Sequence, residues 1–250
     1  MNAAAHALSA NLAARTSAPV LATRALQSGY GDAMVLKGID VTLAPGEVLA
    51  ILGKNGMGKS TLLKTLMGYI RPAQGDVVLF GESAAGLPPN RIARRDVAYV
   101  PQEKALFQDL SVEENLKLAL RRDRDFLPMF ARIEDLFPFL KERLKQKAGT
   151  LSGGEQKMLL VARALIRRPR LVLIDEITEG MQPSVIERLG GILRHERDES
   201  GTAMLLVEQH VSFAFAVANR YAVMELGEIA ASGAVADPAG PATVSRYLSL

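Results

Sequence analysis

The chain has 250 residues, of which 48% are hydrophobic, enough for one large α/β domain or two small lobes with a packed core. Its 30 basic and 27 acidic residues give a formal charge of +3, too close to balance to predict nucleic acid or an anionic membrane as the main partner. The sequence contains no cysteine, which excludes a disulfide framework, a zinc–thiolate site and a thiol nucleophile.

The sequence predicts neither a membrane span nor an ordered start. No apolar run approaches the roughly 18 residues of a spanning helix, so another subunit would have to anchor the chain to a membrane. Residues 1–18 are rich in Ala, Ser and Asn and carry Arg15 but no acidic residue. This composition predicts a disordered N-terminal tail, with a transit peptide as the alternative, because the apolar core of a secretory signal is missing.

The chain from 20 to 43 predicts short strands around a turn at Ser28–Asp32. Tyr30 stands in this turn, ahead of the apolar run Val48–Leu52, which predicts a buried strand. A tyrosine in this place can stack its ring on an adenine, although ordinary packing explains an isolated tyrosine equally well. Tyr30 is therefore a candidate nucleotide contact.

A glycine-rich loop follows the apolar strand directly. Residues 53–60 match the pattern G-x-x-x-x-G-K-[ST] and precede apolar residues at helical spacing from Leu62 to Ile70. A chance match arises in roughly one chain in a hundred of this length, and the strand–loop–helix order favours a phosphate-binding P-loop over a chance turn. Glycines let successive N–H groups turn toward a polyanion, and the helix N-terminus adds its positive dipole end.

In this P-loop, Lys59 is predicted to hold the β- and γ-phosphates of a nucleotide, with Ser60 on Mg²⁺ and Thr61 near the α-phosphate. The predicted nucleotide-binding residues of the loop are Gly53, Lys54, Asn55, Gly56, Met57, Gly58, Lys59, Ser60 and Thr61.

The middle of the chain supplies a further candidate ligand. Residues 74–81 and 98–100 predict strands, and the second strand ends at Pro101 and Gln102. The Gln102 amide can offer its oxygen to Mg²⁺ or to an attacking water, while a surface-loop glutamine is the simpler explanation. Residues 106–147 are mainly helical in pattern, with a capping box that begins at Ser111.

A second helix N-terminus with glycines lies in the second half of the chain. Ser152, Gly153, Gly154 and Glu155 open a helix and form another potential phosphate-binding end. If this end cannot fold back to the P-loop, it could serve the nucleotide of a partner.

The apolar strand Leu171–Ile174 delivers Asp175 and Glu176 at its C-terminal end, where open α/β sheets bind ligands. Asp175 suits the Mg²⁺ shell and Glu176 suits the orientation and polarisation of water, although two acids also end strands at solvated edges. Residues 203–207 repeat the pattern of an apolar strand and end in Glu208, Gln209 and His210. A hairpin, a loop and a short helix are predicted to complete the chain.

Together these motifs resemble the ATP-binding-cassette (ABC) ATPases, and the signature Leu151–Glu155 is the specific part of the resemblance. The resemblance implies a P-loop NTPase of the α/β class, with a RecA-like parallel sheet core, an antiparallel β subdomain and a small helical subdomain. It places the ATPase domain at 19–236, with the helical subdomain at about 106–165. A C-terminal loop and short helix would occupy 237–250.

The resemblance also implies roles for individual residues. ATP would lie in a head-to-tail dimer, between the P-loop of one subunit and residues 152–155 of the other, with Tyr30 stacked on the adenine. Ser60, Gln102 and Asp175 would hold Mg²⁺, and Gln102 would also act in catalysis.

Glu176 would be the catalytic carboxylate. The switch histidine of the family aligns with Gln209, so Gln209 rather than His210 is predicted to act beside Glu176 in catalysis. Ile177 stands where the family usually has proline.

Within the family, Val100–Glu103, Leu110–Leu116 and Thr178–Ser184 are similar to the ATPase subunits of urea and branched-chain amino acid importers. This similarity implies two transmembrane permease subunits, a second ATPase subunit that is the same or a different chain, and indirectly an extracytoplasmic solute-binding protein. It also implies a cytoplasmic position on the inner face of the cell membrane.

Three other functions remain open from the residues. An exporter ATPase, for instance for lipid, is the nearest alternative. A soluble assembly or repair factor usually carries two cassettes or a long helical insertion, and only 50 positions separate Gln102 from Ser152. A P-loop kinase would leave the signature unexplained.

Overall fold

The computed structural model describes residues 18–102 and 105–248, so the predicted tail lies almost entirely outside the described residues. The strands are β1 (Leu21–Tyr30), β2 (Ala33–Ile39), β3 (Thr42–Leu43), β4 (Val48–Leu52), β5 (Gln74–Leu79), β6 (Glu82–Ser83), β7 (Val97–Val100), β8 (Leu171–Asp175), β9 (Ala203–Glu208), β10 (Arg220–Glu225) and β11 (Glu228–Ala234). The helices are α1 (Lys59–Leu66), α2 (Pro89–Ala93), α3 (Val112–Lys117), α4 (Phe126–Phe130), α5 (Pro138–Glu142), α6 (Gly153–Leu165), α7 (Pro183–Asp198), α8 (Val211–Val217) and α9 (Gly240–Leu248).

The strands form two sheets. The larger has the order β11-β10-β4-β9-β8-β7, in which the neighbours from β10 to β7 are parallel and the β10–β11 hairpin is antiparallel. The smaller has the order β2-β1-β5-β6, with β3 also paired to β1, and all of its pairings are antiparallel. The parallel core and the antiparallel β region therefore match the predicted P-loop NTPase fold.

The larger sheet is buried on both faces, which explains the unbroken apolar runs of its central strands. Val48, Ala50 and Leu52 of β4 contribute to one core, together with residues of α6, α7 and α8. Leu49 and Ile51 contribute to a second core, shared with α1 and the antiparallel sheet. Successive β4 side chains thus alternate between the two cores, and the sheet is held from both sides.

The helices are shorter than the sequence predicts. α1 ends at Leu66 rather than continuing to Ile70, because Gly68 adopts a left-handed φ of 74° that closes the helix. The region 106–147 contains three helices of five or six residues joined by turns, and Pro138 stands in the first turn of the last one. The capping box at Ser111 is present as predicted.

The topology brings the C-terminal ends of β4, β7, β8 and β9 to one edge of the larger sheet, because these strands are parallel neighbours. The P-loop, Gln102, Glu176 and Gln209 follow these four strand ends. In the described ranges, no helix combines the length and the apolar character needed to cross a bilayer.

Candidate functional site

The P-loop connects β4 to α1 in the predicted strand–loop–helix order. Gly56 and Gly58 adopt left-handed φ angles of 80° and 104°, which residues with a Cβ rarely adopt. Gly53 needs its glycine for space, since a Cβ there would lie 2.5 Å from the backbone oxygen of Met224. The sequence of the loop is therefore matched to a backbone that needs glycine at these positions, and a glycine loop of this kind at the start of a helix suits an anion.

Lys59 is the buried cation of the loop, with 4% of its surface exposed. Its Nζ donates hydrogen bonds to the backbone oxygens of Gly53 at 2.8 Å and of Lys54 at 2.9 Å. It also forms an ion pair with Glu176 Oε1 at 3.0 Å. A phosphate that binds Lys59 therefore competes with the Glu176 carboxylate for the same ammonium group.

Ser60 and Asp175 meet where a metal bound to nucleotide would need ligands. Ser60 Oγ donates to Asp175 Oδ1 at 3.1 Å, and Tyr99 Oη donates to Asp175 Oδ2 at 3.3 Å. Burial raises the pKa of Asp175 above its ordinary value, and burial also raises the pKa of Tyr99, with the Asp175 charge as a second cause. A hydroxyl and a carboxylate side by side are hard oxygen ligands, so this pair fits Mg²⁺.

Glu176 has a left-handed φ of 43° and is 7% exposed. Its N–H donates to the Val207 oxygen at 2.9 Å, which continues the β8–β9 pairing past the end of β8. A non-glycine residue with this backbone conformation costs about 1–3 kcal/mol and persists only where its surroundings impose it. The strain lies at the residue predicted to be the catalytic carboxylate.

Gln102 lies beside Glu176. Its Nε2 donates to Glu176 Oε2 at 3.1 Å and to Glu179 Oε2 at 2.9 Å. No hydrogen bond between described residues joins Gln102 to Ser60 or Asp175. The structure thus brings Gln102 to the predicted catalytic carboxylate, and its role as a metal ligand stays a prediction.

The end of β9 contributes a carboxylate that faces inward and an amide that faces the P-loop. Glu208 is 2% exposed and accepts hydrogen bonds from the Thr178 N–H at 3.1 Å and the Thr178 hydroxyl at 2.7 Å. Gln209 Nε2 donates to Asn55 Oδ1 at 2.6 Å. His210 caps the start of α8, where its Nε2 lies 3.3 Å from Ser212 Oγ. Gln209 therefore contacts the P-loop, and His210 contacts its own helix.

Tyr30 and Thr61 lie at two edges of the loop. The hairpin of β1 and β2 reaches the P-loop, since a Cβ at Gly58 would lie 3.2 Å from the Leu36 side chain. Tyr30 stands at the turn of this hairpin with 52% of its surface exposed, and Thr61 is in the first turn of α1 and 8% exposed. The adenine contact of Tyr30 and the phosphate contact of Thr61 stay predictions.

The signature residues form a separate helix end. Ser152 caps α6 in a capping box, in which the Ser152 N–H and hydroxyl donate to Glu155 Oε2 at 2.9 Å and 2.8 Å. Arg143 pairs with the other oxygen of Glu155 at 2.9 Å. Ser152 and Gly153 are exposed, and Gly154 packs near Val185. Among described residues, no hydrogen bond or ion pair connects residues 152–155 with the P-loop.

Sequence reasoning missed three parts of this site. Tyr99 was predicted only as a strand residue, Glu208 only as the end of a strand, and Thr178 only as part of a subfamily motif. A buried polar residue at the end of a parallel strand is the signal that would have drawn attention to Glu208, because such groups require partners. The partner itself depends on which strands are neighbours.

The residues of this site define a class of protein. A P-loop with its lysine, a serine beside an aspartate for a metal, and a glutamate directly after that aspartate are the parts of a nucleoside triphosphatase. The model of the ABC transporter family matches residues 36–179. The chain belongs to this family.

Several curated relatives and solved structures are similar over most of the chain. The high-affinity branched-chain amino acid transport ATP-binding protein BraG of Pseudomonas aeruginosa is 41% identical, covering 80% of this chain and 86% of the relative. The probable branched-chain amino acid transport ATP-binding protein LivF of Archaeoglobus fulgidus is 36% identical, covering 86% and 92%.

The lipopolysaccharide export system ATP-binding protein LptB of Escherichia coli is 32% identical, covering 85% and 90%. A solved structure described as an ATP binding subunit of an ABC transporter has a TM-score of 0.78 at 26% identity, covering 90% and 94%. The chain is therefore an ATP-binding subunit of an ABC transporter and an ATPase, as the signature predicted. The family binds ATP together with a divalent metal.

Proposed function

We propose that the chain is the ATP-hydrolysing subunit of an importer for branched-chain amino acids, urea or related amides. The observation that carries this proposal is the 41% identity with BraG, against 32% with LptB, over similar shares of the chain. BraG is described as a branched-chain amino acid transport ATP-binding protein, and its higher identity makes it the better guide to the transport system of this chain. Family membership leaves a P-loop kinase without support.

The contacts in the site support a mechanism of hydrolysis. Glu176 orients and polarises the attacking water, Gln102 holds the second oxygen of that carboxylate, and Gln209 bridges from its strand to the P-loop. Lys59 exchanges its ion pair with Glu176 for the β- and γ-phosphates, and this exchange frees the carboxylate for water. Mg²⁺, held by Ser60 and Asp175, would neutralise charge on the phosphates.

A dimer completes the site. The N-terminus of α6 is exposed and offers N–H groups and a serine hydroxyl, yet within the described part of the chain it does not contact the P-loop. A second ATPase chain packed head to tail would place this end on the nucleotide of its partner. We therefore treat 19–236, including the helical region at about 106–165, as one ATPase domain that works as half of a homo- or heterodimer.

A surface groove of about 720 Å³ suits a helix of the permease subunit. Tyr69, Phe107 and Leu118 line it with 60%, 58% and 53% of their surfaces exposed, an unusual exposure for large apolar side chains. Arg163 of α6 and Arg167, two residues past its end, also line the groove, so an acidic residue on the permease helix would be attracted there. Docking at the end of β7 would act on the neighbouring glutamine that holds Glu176.

In this arrangement two permease subunits anchor the chain on the inner face of the cell membrane, and dimer closure on ATP moves them. An extracytoplasmic solute-binding protein would deliver the solute to the permease. A lipid exporter is the second candidate function, and the similarity to LptB favours it over a soluble assembly or repair factor.

The test is transport by the assembled complex. The chain is co-expressed with the membrane subunits encoded beside it, purified, and reconstituted in vesicles with ATP on the side of the ATPase. We expect ATP-dependent uptake of labelled leucine or urea in the presence of the binding protein, and none with Glu176→Gln. ATP-dependent extraction of lipopolysaccharide without amino acid or urea uptake would replace the importer with the exporter.

A further inference from the structure

The segments that carry Glu176 and Gln209 follow two neighbouring strands, β8 and β9, and among the described residues no backbone-to-backbone hydrogen bond pairs them beyond Glu176. β8 and β9 pair in parallel, with Asp175 opposite Val207, and the last shared hydrogen bond is from the Glu176 N–H to the Val207 oxygen. Beyond that bond the chain turns sharply at Glu176, whose φ is 43°. The backbone pairing of the sheet therefore cannot hold the residues on either side of the turn beyond this point.

The Glu208 side chain connects the two segments where the sheet ends. It accepts the N–H and the hydroxyl of Thr178, two residues after Glu176, at 3.1 Å and 2.7 Å. Glu208 itself directly precedes Gln209, whose amide donates to Asn55 of the P-loop. One buried carboxylate thus accepts two donors from the loop that follows the catalytic glutamate, and it is next to the switch glutamine in the chain.

Burial makes this carboxylate sensitive to the loss of any donor. Glu208 is 2% exposed and Thr178 is 6% exposed, so the loss of a hydrogen bond between them costs more than it would at the surface. A buried hydrogen bond to a charged group is short and strong, so it restricts the relative positions of its donor and acceptor. The other residues of β9 are apolar, so packing alone would be satisfied by an apolar residue at position 208. Packing therefore does not explain why a charged side chain is buried there at a cost in free energy.

We propose that Glu208 is a positioning residue for ATP hydrolysis, which fixes the Glu176 carboxylate and the Gln209 amide relative to each other through its two hydrogen bonds with Thr178. The chain of contacts then runs from Asn55 of the P-loop through Gln209 to Glu208, on to Thr178, and back to Glu176. Glu208 does not touch the nucleotide in this scheme. Its effect is on the rate of the chemical step, since small misplacement of reacting groups is costly.

The proposal rests on the hydrolytic roles proposed for Glu176 and Gln209. The variants are chosen so that a failure of those roles can be distinguished from a failure of the role of Glu208. Glu208→Gln keeps the shape but leaves one acceptor oxygen, so one of the two Thr178 donors loses its partner. Thr178→Val removes the hydroxyl and keeps the volume, while Thr178→Ser keeps the hydroxyl. Thr23→Val is the matched control, because Thr23 is a buried threonine with two hydrogen bonds in the antiparallel sheet.

Steady-state ATP hydrolysis is measured for the full chain in its assembled complex, together with hydrogen exchange on the chain alone. We expect kcat to fall about tenfold or more in Glu208→Gln and Thr178→Val, with KM for ATP within about twofold, and Thr178→Ser to restore most of kcat. Hydrogen exchange should rise at 176–180 and 209–211 together in both impaired variants. Thr23→Val should lower thermal stability without this kinetic pattern.

Three results would overturn the proposal. The first is a kcat within twofold of the unmodified chain in both variants, and the second is an equal loss of kcat in Thr23→Val at the same loss of thermal stability. The third is faster exchange in only one of the two segments, which would mean that Glu208 does not join them. If Glu176→Gln itself keeps turnover, the catalytic assignment fails, whereas the exchange result still decides whether Glu208 holds both segments.

Discussion

Replacement of Glu176 by glutamine should strengthen ATP binding while it slows ATP hydrolysis. In this structure Glu176 Oε1 lies 3.0 Å from Lys59 Nζ, and both side chains are nearly buried, at 9% and 3% exposure. Two charges at this distance attract by about 5 kcal/mol at an effective dielectric constant near 20, and the cost of desolvation offsets most of that. A net pairing energy on the order of 1 kcal/mol must be given up when Lys59 binds phosphate.

Glutamine has the same shape without the charge, so Lys59 no longer has to leave an ion pair. ATP affinity in Glu176→Gln should therefore rise about fivefold, since a factor of ten corresponds to about 1.4 kcal/mol. Turnover should fall at least about a hundredfold, because the amide cannot polarise water as the carboxylate does. Fluorescent-nucleotide titration and steady-state hydrolysis by the same preparation measure the two effects.

Glu179→Gln is the matched control, because Glu179 also accepts a hydrogen bond from Gln102, at 2.9 Å, but is exposed and is not the partner of Lys59. It should leave both ATP affinity and turnover within about threefold of the unmodified chain. Near-normal turnover in Glu176→Gln would remove Glu176 from the catalytic role. Weaker ATP binding would show that the ion pair with Lys59 does not compete with phosphate.

Four further outcomes are expected. Lys59→Ala should weaken ATP binding about tenfold or more, as loss of a charge-assisted contact does. Ser152→Arg should abolish turnover by the assembled complex and ATP-driven dimerisation measured by light scattering. Glu196→Gln should raise the melting temperature by about 2–4 °C at pH 8 but not at pH 4.5, the scale of about 1 kcal/mol in a chain of this size. Gln209→Ala should reduce turnover about tenfold or more, while His210→Ala keeps most of it.

The sign of the Glu196 effect follows from its surroundings. Glu196 is 4% exposed, its Oε2 is buried without a hydrogen-bond partner among described residues, and burial raises its pKa above the ordinary 4.5. A carboxyl with a raised pKa in the folded state stabilises the fold below its ordinary pKa, and this contribution is lost as the pH rises through the raised value. An equal melting-temperature shift at both pH values would show that ionisation is not the cause.

Each of the other three predictions would be contradicted by one result. Unchanged ATP affinity in Lys59→Ala would show that the loop amides alone hold the phosphates. Normal turnover in Ser152→Arg would mean that the signature does not complete a partner's site. A larger loss in His210→Ala than in Gln209→Ala would show that the histidine swings into the switch position.

The sequence predicted the local parts of the site because each is written in consecutive residues. The P-loop needs glycines at set positions, and a buried parallel strand is recognisable from four or five apolar residues followed by polar ones. The α3 cap at Ser111 likewise follows from a serine with glutamate three residues later. In each case the physical cause lies within a few residues of its effect.

The contacts between these parts could not be predicted in the same way. The ion pair of Lys59 with Glu176, the hydrogen bond of Tyr99 to Asp175, and that of Thr178 to Glu208 all join residues from different strand ends. Which ends meet depends on the order of strands in the sheet, and the apolar runs of parallel strands look alike whichever neighbour they have. The order β4-β9-β8-β7 is what converts separate motifs into one site.

At the end of β9, the alternation of side chains along a strand explains the directions of two residues, and the start of α8 explains the direction of the third. Side chains alternate along a strand, so Glu208 and Gln209 must face opposite sides, and the buried carboxylate and the exposed amide obey this rule. His210 would face inward again if the strand continued, but α8 begins there and directs the ring toward Ser212. The helix start, rather than the residue type, therefore leaves Gln209 as the side chain at this strand end that contacts Asn55 of the P-loop.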